Sequence, residues 1–342
     1  MNKFPFNEEQ KTYFEQVASS MGLKAEYVEK DFWVCWVLNK LYSNPTYMEH
    51  ITFKGGTSLS KVWKIIDRFS EDIDLTISRD FLGYGGDNSP EKAPSKKQTS
   101  ERLKGLRSAC QQYVINNLMP SLTKDFTDSL PPNLIWSLSM DEEDNDRQTI
   151  LFEYQSNWPV SGAGYVQPIV RMEFGARSDP WPAEKGCVKA FVAELYPDVF
   201  EFSEIKVLAL NPQRTFLEKA MLLHEERFRP LVKARAKHLA RHYYDLWCLS
   251  NCGVADEAIN DKSLFEAIAE HREVFFKQSW VDYNTLKRST LRLAPHPEHL
   301  DSWKKDYDAM KEMFLKKPPK FEEIIKVVEN LQLKINSSSN SI

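Results

Sequence analysis

The sequence predicts an α+β protein: a mixed β-sheet with flanking helices, followed by a C-terminal helical bundle. Three observations carry this. Between His50 and Ile77 an apolar strand, a Gly-Gly turn, an amphipathic helix and a second strand follow one another. Between 133 and 192, short apolar runs alternate with Asn, Pro and Gly turns, the mark of a strand-rich stretch. From Val207 onward, apolar residues recur every three to four positions, the period of helices. The boundary falls near 205–212, giving an N-terminal domain over 1–208 and a helical domain over 209–342.

The 342 residues suffice for two domains of roughly 100–200 residues each. Apolar and charged fractions of 42% and 27% are those of an ordinary soluble globular protein. A net charge of −4 excludes attraction of the whole molecule to nucleic acid, so any polyanion site has to be a local patch. Five scattered cysteines, an odd number, argue for a reducing cytosol and against a disulfide framework. Cys248-x₃-Cys252 lacks the second Cys or His pair that a zinc site needs. The opening Met-Asn-Lys-Phe-Pro-Phe has no signal-like apolar core, and no apolar run is long enough to span a bilayer, so a cytoplasmic protein without membrane contact is expected. The Ser/Asn-rich tail over 336–341 is expected to fray.

Taken in order, 7–20 and 25–43 read as helices. In the second, Val28, Phe32, Cys35, Leu38 and Leu41 form one apolar stripe, with Glu29, Lys30 and Asp31 on another side. Trp33 and Trp36 widen the apolar surface nearly all round, which places this helix between layers. Residues 50–54 and 72–77 are strands around a helix over 58–66. The polar, Gly/Pro-rich stretch 83–100 reads as a mobile loop, either a lid or a passive insertion. A helix covers 101–119, strands cover 133–140, 149–154, 168–174 and 187–192, and helices cover 214–226, 230–250, 256–277, 282–290, 299–315 and 319–333.

The stretch Phe53-Lys-Gly-Gly-Thr-Ser-Leu-Ser-Lys61 suits an anion. Gly55 and Gly56 lack a Cβ, so backbone can turn tightly and approach a ligand, and the following helix amides with Thr57 and Ser58 offer donors. The stretch is not a Walker A loop, which needs a second glycine before its Lys-Ser/Thr. In Arg68-Phe-Ser-Glu-Asp-Ile-Asp-Leu75, the strand period of two sends Asp72 and Asp74 to one face. Adjacent carboxylates repel, and Mg²⁺ (or Mn²⁺), which takes oxygen ligands including substrate phosphates, relieves the repulsion. In the helical half, Lys219 is surrounded by apolar residues and either snorkels to water or faces a phosphate. Asp245 lies in an aromatic run where an unpaired carboxylate is costly, and Arg241, one turn earlier, is the expected partner.

Together these stretches resemble the nucleotidyltransferase superfamily, and in wording its AbiEii/AbiGii toxin branch, belonging to type IV toxin–antitoxin systems. The likeness covers Gly55–Lys61, Arg68–Leu75, Lys219 and Arg241–Leu246. It implies a nucleotidyltransferase-fold domain and an enzyme moving a nucleotide from an NTP to an acceptor hydroxyl with release of pyrophosphate. Related members act on the 3′ end of tRNA and block translation, so the resemblance also implies an RNA acceptor, a cognate antitoxin and a role in growth arrest or phage defence. Asp72, Asp74, Lys219 and Asp245 would be catalytic. Asp72 and Asp74, with Glu173 as a third carboxylate from a later strand, would hold metal. Gly55, Gly56, Thr57, Ser58, Lys61 and Lys219 would hold the triphosphate. The gap between Gly56-Thr57 and Asp72 is longer than usual in the superfamily, which leaves open which hydroxyl meets phosphate.

The segment 227–244 contains no acid and carries Arg229, Lys233, Lys237 and Arg241, a positive stripe apt for an RNA backbone or simply a solvated face. His238 and His242 have helical metal spacing but no third ligand. Two other functions stay open at this level: a nucleotide-binding module without turnover, and transfer to protein or a small molecule.

Overall fold

The computed structural model describes residues 8–158, 166–199 and 204–337. Residues 338–341 of the Ser/Asn-rich tail lie outside that range. The chain divides into two compact units, Met1–Val62 with Ser70–Ala209, and Trp63–Phe69 with Leu210–Ile342. The seven residues Trp63–Phe69 therefore leave the N-terminal unit, although they run between its two signature stretches. Backbone and side-chain bonds explain why. The Trp63 indole donates to the Leu210 carbonyl (3.1 Å), the Phe69 amide bonds to the Met313 carbonyl (2.5 Å), and Arg68 bridges to Arg-complementary Asp245.

The first unit holds α1 (Glu8–Met21), α2 (Ala25–Ser43), β1 (Ile51–Lys54), α3 (Gly55–Lys61), β2 (Ile73–Ile77), α4 (Lys96–Tyr113), α5 (Met119–Ser129), β3 (Trp136–Met140), β4 (Thr149–Tyr154), β5 (Ile169–Gly175), β6 (Ala183–Val188), α6 (Phe191–Leu195) and β7 (Ile205–Leu210). Its seven-stranded mixed sheet runs β3-β4-β5-β2-β1-β7-β6. β2 lies antiparallel to β1 and parallel to β5, and β5 lies antiparallel to β4. Glu173 thus sits on an interior strand, not on an edge.

Residues alternate strictly along β5: Val170, Met172 and Phe174 are buried while Arg171 and Glu173 are half-exposed. Helix α2 is buried all round, its Trp33 ring 5.0 Å from Tyr154 and its Trp36 ring 4.6 Å from Phe126. Burial extends to Glu29, Lys30 and Asp31, so the polar side expected of this helix does not exist.

Several boundaries move. Helix α3 starts at the glycines themselves and ends at Lys61. The region 83–100 is folded, not aperiodic: it forms two short 3₁₀ turns, and α4 begins at Lys96 behind a Ser95 cap. Arg102 fastens the turns by donating to the carbonyls of Asp87 and Ser89 at 2.7 and 2.8 Å. The strand expected over 187–192 lies earlier, at β6, and is followed by the short helix α6.

The second unit is helical: α7 (Pro212–Arg227), α8 (Arg241–Asn251), α9 (Val254–Asn260), α10 (Lys262–Phe275), α11 (Leu300–Asp308) and α12 (Phe321–Ser337). Tyr243 anchors its core, its ring 4.9 Å from Trp303 and 5.9 Å from Phe321, its hydroxyl donating to the Leu293 carbonyl. Two expected helices shrink. Residues 228–240 are turns and coil, so the helix expected from 230 begins only at Arg241, and 282–290 keeps just the turn Tyr283–Thr285. Among the described residues, no helix is long and apolar enough to cross a membrane.

Candidate active site

In the first unit, the glycine turn and the aspartates are one construction. Gly55 adopts φ +79°, a conformation that suits glycine, and a Cβ there would lie 2.1 Å from the Asp74 carboxylate oxygen. The glycine is therefore required twice, for the backbone angle and for the space that Asp74 fills. Thr57, fully buried, donates through Oγ1 to the Asp72 carbonyl (2.6 Å) and sits 2.9 Å from the Ser70 hydroxyl. It fixes the backbone that carries Asp72.

Strand pairing then sets the carboxylates in a row. Asp74 is the direct neighbour of Glu173 on β5, and Lys54 its neighbour on β1. Two residues back in the same register, Asp72 stands beside Arg171. Period two puts all four of these β2 and β5 side chains on one face. The Arg171 guanidinium lies 4.0 Å from Asp72, 3.6 Å from Glu173 and 2.6 Å from Asp141, which is itself buried. Partial burial raises the Asp72 carboxyl to about 7, and the negative charges of Glu173, Asp74 and Glu71 push the same way against Arg171. Since 43% of that side chain is exposed, water screens the repulsion among these carboxylates, and burial is the first cause of the shift. Arg171 occupies the position of a positive charge among acids, and it is not enough to balance them.

Such a donor set fits a hard divalent cation. Among the described residues, no three His, Cys, Asp or Glu side chains form a closed metal cage. Mg²⁺ does not need one, being held commonly by one or two carboxylates together with water and substrate phosphate oxygens. The crowded, partly hydrated row of Asp72, Asp74 and Glu173 has that character.

Two residues expected to bind phosphate are engaged within the protein in the same region. Lys61 is buried, ion-paired with Asp31, and its ammonium lies 3.7 Å over the Phe191 ring, so its charge is spent in the core. Ser58 is fully buried, and its hydroxyl donates to the Gly55 carbonyl at 3.0 Å. What the turn offers an anion is backbone: the first-turn amides of α3, which a helix cannot satisfy itself.

The second unit gathers Arg68, Lys219, His242 and Asp245. Arg68 binds Asp245 through two parallel bonds of 2.7 and 2.9 Å, and the Lys219 ammonium lies 2.9 Å from the same carboxylate. Asp245 has no exposed surface. Burial alone would raise its carboxyl, but Arg68 and Lys219 outweigh burial and hold it below the ordinary range. Burial lowers the Lys219 ammonium, opposed by Asp245. His242 lies 3.2 Å from Lys219 through Nδ1, and burial with neighbouring cations holds it well below its ordinary value, hence neutral. The partner expected for Asp245, Arg241, donates instead to the His238 carbonyl (3.1 Å). The cluster sums to two cations and one anion, so it carries a positive surplus. Of the three ammonium hydrogens of Lys219, Asp245 and His242 engage two.

The positive stripe is a coil, not a helix face. Arg229 forks onto Glu226 at 2.6 and 2.5 Å and lies 4.7 Å over the Trp280 ring. Lys233 sits 4.2 Å over the same ring, and Lys237 is exposed. Leu231 and Val232 between them are exposed too, Val232 by 94%. Sequence reasoning assigned no role to Arg68, His242, Arg171 or Asp141. Arg68 opens the Arg-Phe-Ser-Glu-Asp stretch and was legible there as a charge beside apolar residues; Asp141, brought in by β3–β4 pairing, left no local signal.

A family model described as Nucleotidyl transferase AbiEii toxin, type IV TA system, matches residues 36–327. A solved structure that the chain matches is MenT4, the nucleotidyltransferase toxin Rv2826c from Mycobacterium tuberculosis H37Rv. It is 15% identical, the alignment covers 94% of this chain and 98% of that one, and the TM-score is 0.41. No curated protein is a significant sequence match.

Proposed function

We propose, from the premise that this chain belongs to the AbiEii nucleotidyl transferase toxin family, that it transfers a nucleotide from an NTP to the 3′ hydroxyl of an RNA, most fittingly a tRNA. The observation that carries the reading is the row Asp72–Asp74–Glu173, built on two paired parallel strands with a glycine making room for its central carboxylate. A bound Mg²⁺ or Mn²⁺ would supply charge neutralisation at the attacking and leaving oxygens. Asp72, Asp74 and Glu173 are the groups that would hold it.

The chemistry is positioning and charge compensation. The acceptor oxygen bonds to the α-phosphorus, the bond from that phosphorus to the bridging oxygen breaks, and pyrophosphate departs. The acceptor proton passes to a carboxylate oxygen of the same row. The amides at Gly55 and Gly56 receive phosphate oxygens, and Thr57 keeps the Asp72 backbone in place. Lys219, held by Asp245 and His242, keeps one N–H for a phosphate oxygen; Asp245 acts by orienting Lys219. Lys233 and Lys237 contact the acceptor's phosphates, while Arg229 and Arg241, engaged with Glu226 and the His238 carbonyl, contribute less. A cytoplasmic location is part of this reading, since five scattered cysteines suit a reducing compartment. Membership in a type IV system implies an antitoxin partner, and growth arrest through blocked translation is the expected outcome of expression.

The test supplies α-labelled ATP, GTP, CTP and UTP in turn, with Mg²⁺, to total tRNA and to lysate protein. Label on RNA 3′ ends supports the reading. Label on protein or on small molecules moves the acceptor, and no label in any lane leaves nucleotide binding without turnover. For the acceptor surface, Lys233→Ala with Lys237→Ala should flatten the slope of log affinity against log salt by about 1.5 units, with NTP affinity unchanged. An unchanged slope removes the stripe from the acceptor site.

A further inference from the structure

Three consecutive charged residues on α2, Glu29, Lys30 and Asp31, are buried to 1%, 2% and 1% exposure. Three neighbours on a helix fan over about 200°, so no single polar face can accommodate them and each needs its own partner. Buried ion pairs give little net stability relative to apolar residues of the same size, because desolvation offsets the attraction. Their presence in the middle of a core helix calls for a use other than stability.

The partners supply one. Lys30 donates to the carbonyls of Gln167 (2.9 Å) and Ile169 and pairs with Glu71 at 3.2 Å. Ile169 opens the strand bearing Glu173, and Glu71 immediately precedes Asp72. Asp31 pairs with Lys61, the last residue of the Gly-Gly helix, and accepts the Phe191 amide at 2.7 Å. Glu29 instead accepts from Ser156 (2.5 Å) and from Asn157 (2.9 and 2.8 Å), in the segment after β4, and touches no part of the site.

We propose that Lys30 and Asp31 are positioning residues that clamp the site segments of the first unit onto one rigid helix turn: Lys30 sets the spacing of the Asp72 and Glu173 strands, and Asp31 sets the Gly-Gly helix. This rests on the carboxylate row being the catalytic centre. A displacement of about 1 Å in such a row costs on the order of 100-fold in rate, which is why a clamp of this rigidity is useful there.

The test compares full-length Lys30→Met, Asp31→Asn and Glu29→Gln with the wild type, reading thermal midpoint, kcat and KM for NTP in the labelled-RNA assay, and Mn²⁺ affinity by calorimetry. Glu29→Gln controls for loss of a buried charge on the same helix. The clamp predicts that Lys30→Met and Asp31→Asn lose about 100-fold in kcat with NTP KM within about threefold. Glu29→Gln should keep kcat at any temperature where it is folded, and Lys30→Arg should recover part of the loss. Glu71→Ala, a change at a partly exposed side chain, covers the case in which Lys30→Met fails to fold: it severs the Lys30 grip on the Asp72 strand, leaves the ammonium on the Gln167 and Ile169 carbonyls, and should lower kcat at least about tenfold at temperatures where the variant is folded. A kcat that merely tracks the thermal midpoint across the set, or an unaltered kcat in Glu71→Ala, overturns the clamp. If the wild type labels no acceptor, the transfer reading fails separately, and Mn²⁺ affinity decides the clamp: about tenfold weaker in Lys30→Met and unchanged in Glu29→Gln supports it, and equal affinities overturn it.

Discussion

On the sheet, Asp72, Asp74 and Glu173 face the same way with Arg171 as the cation reaching Asp72 and Glu173, and burial together with the crowding of acids lifts Asp72 to about 7. In the helical unit, Asp245 is wholly buried and saturated by Arg68 and Lys219, which lower it. The first cluster keeps a negative surplus in partial contact with water, and the second keeps a positive surplus out of water. Unrelieved repulsion is expensive for a fold to maintain and marks a place where a ligand of opposite charge completes the balance. The carboxylate row thus asks for a cation. The Arg68–Lys219–Asp245 cluster is internally satisfied for its acid and has a cation to spare, which suits a phosphate. On the proposed reading, the same residue type, aspartate, is a ligand in one unit and a holder of ligands in the other.

That contrast breaks or sharpens under substitution. The largest effects belong to the acids. Asp72→Asn and Asp74→Asn should lower nucleotidyl transfer by roughly 10³-fold or more with circular dichroism unchanged, since each removes charge and no volume. Asp72→Asn should also raise the thermal midpoint slightly above pH 7, on the order of 1–2 °C after allowing for its exposure. Asp245→Ala should do the reverse to stability, costing about 3–5 kcal/mol because two buried cations lose their partner. Denaturant unfolding reads both. A stabilised Asp245→Ala, or an active Asp72→Asn, would erase the distinction between the clusters.

Intermediate effects follow from what surrounds the acids. Gly55→Ala places a Cβ at a positive φ and against Asp74, so transfer should fall about 100-fold while Thr57-mediated anchoring of Asp72 persists. Lys219→Met leaves Asp245 doubly bonded to Arg68; stability should change by less than about 1 kcal/mol while transfer drops about 100-fold. If Lys219 only neutralised Asp245, its replacement would leave the rate untouched.

How far this was legible from sequence differs between the two clusters for a physical reason. The Gly-Gly turn and the Asp pair are local: backbone freedom at Gly55 and the strand period at Asp72 and Asp74 are written within about twenty residues. Glu173 was readable as a third carboxylate from a later strand, but its placement beside Asp74 depends on β2–β5 register, which no local pattern fixes. The helical cluster is the opposite case. Helix spacing pointed to Arg241 as the partner of Asp245, whereas the fold chose Arg68, 177 residues away. Helix α2 was legible as a helix between layers, but the partners of its three charges, after β4, on β5, beside Asp72 and on α3, come from distant sequence. In the 228–240 coil, Lys and Arg kept the composition of a basic helix, but the chain after Pro230 forms turns, and Glu226 cancels Arg229.

The smallest effect separates the clusters by pH. Asp72, raised above its ordinary 3.8, contributes stability that is present below that value and lost as pH rises through about 7. Asp245, lowered, contributes stability that is present above the ordinary value and lost only as pH falls beneath it. Wild-type stability should therefore decline modestly between pH 5 and 8 in a way that Asp72→Asn abolishes, as urea midpoints across that range will record.

The surplus charge on the sheet is tested most directly by titrating Mn²⁺ into wild type and Asp74→Asn by calorimetry, each with a non-transferable NTP analogue present. The account predicts a binding isotherm for wild type and an affinity at least about tenfold weaker for Asp74→Asn, with both proteins equally folded. Equal affinities in the two proteins would contradict it.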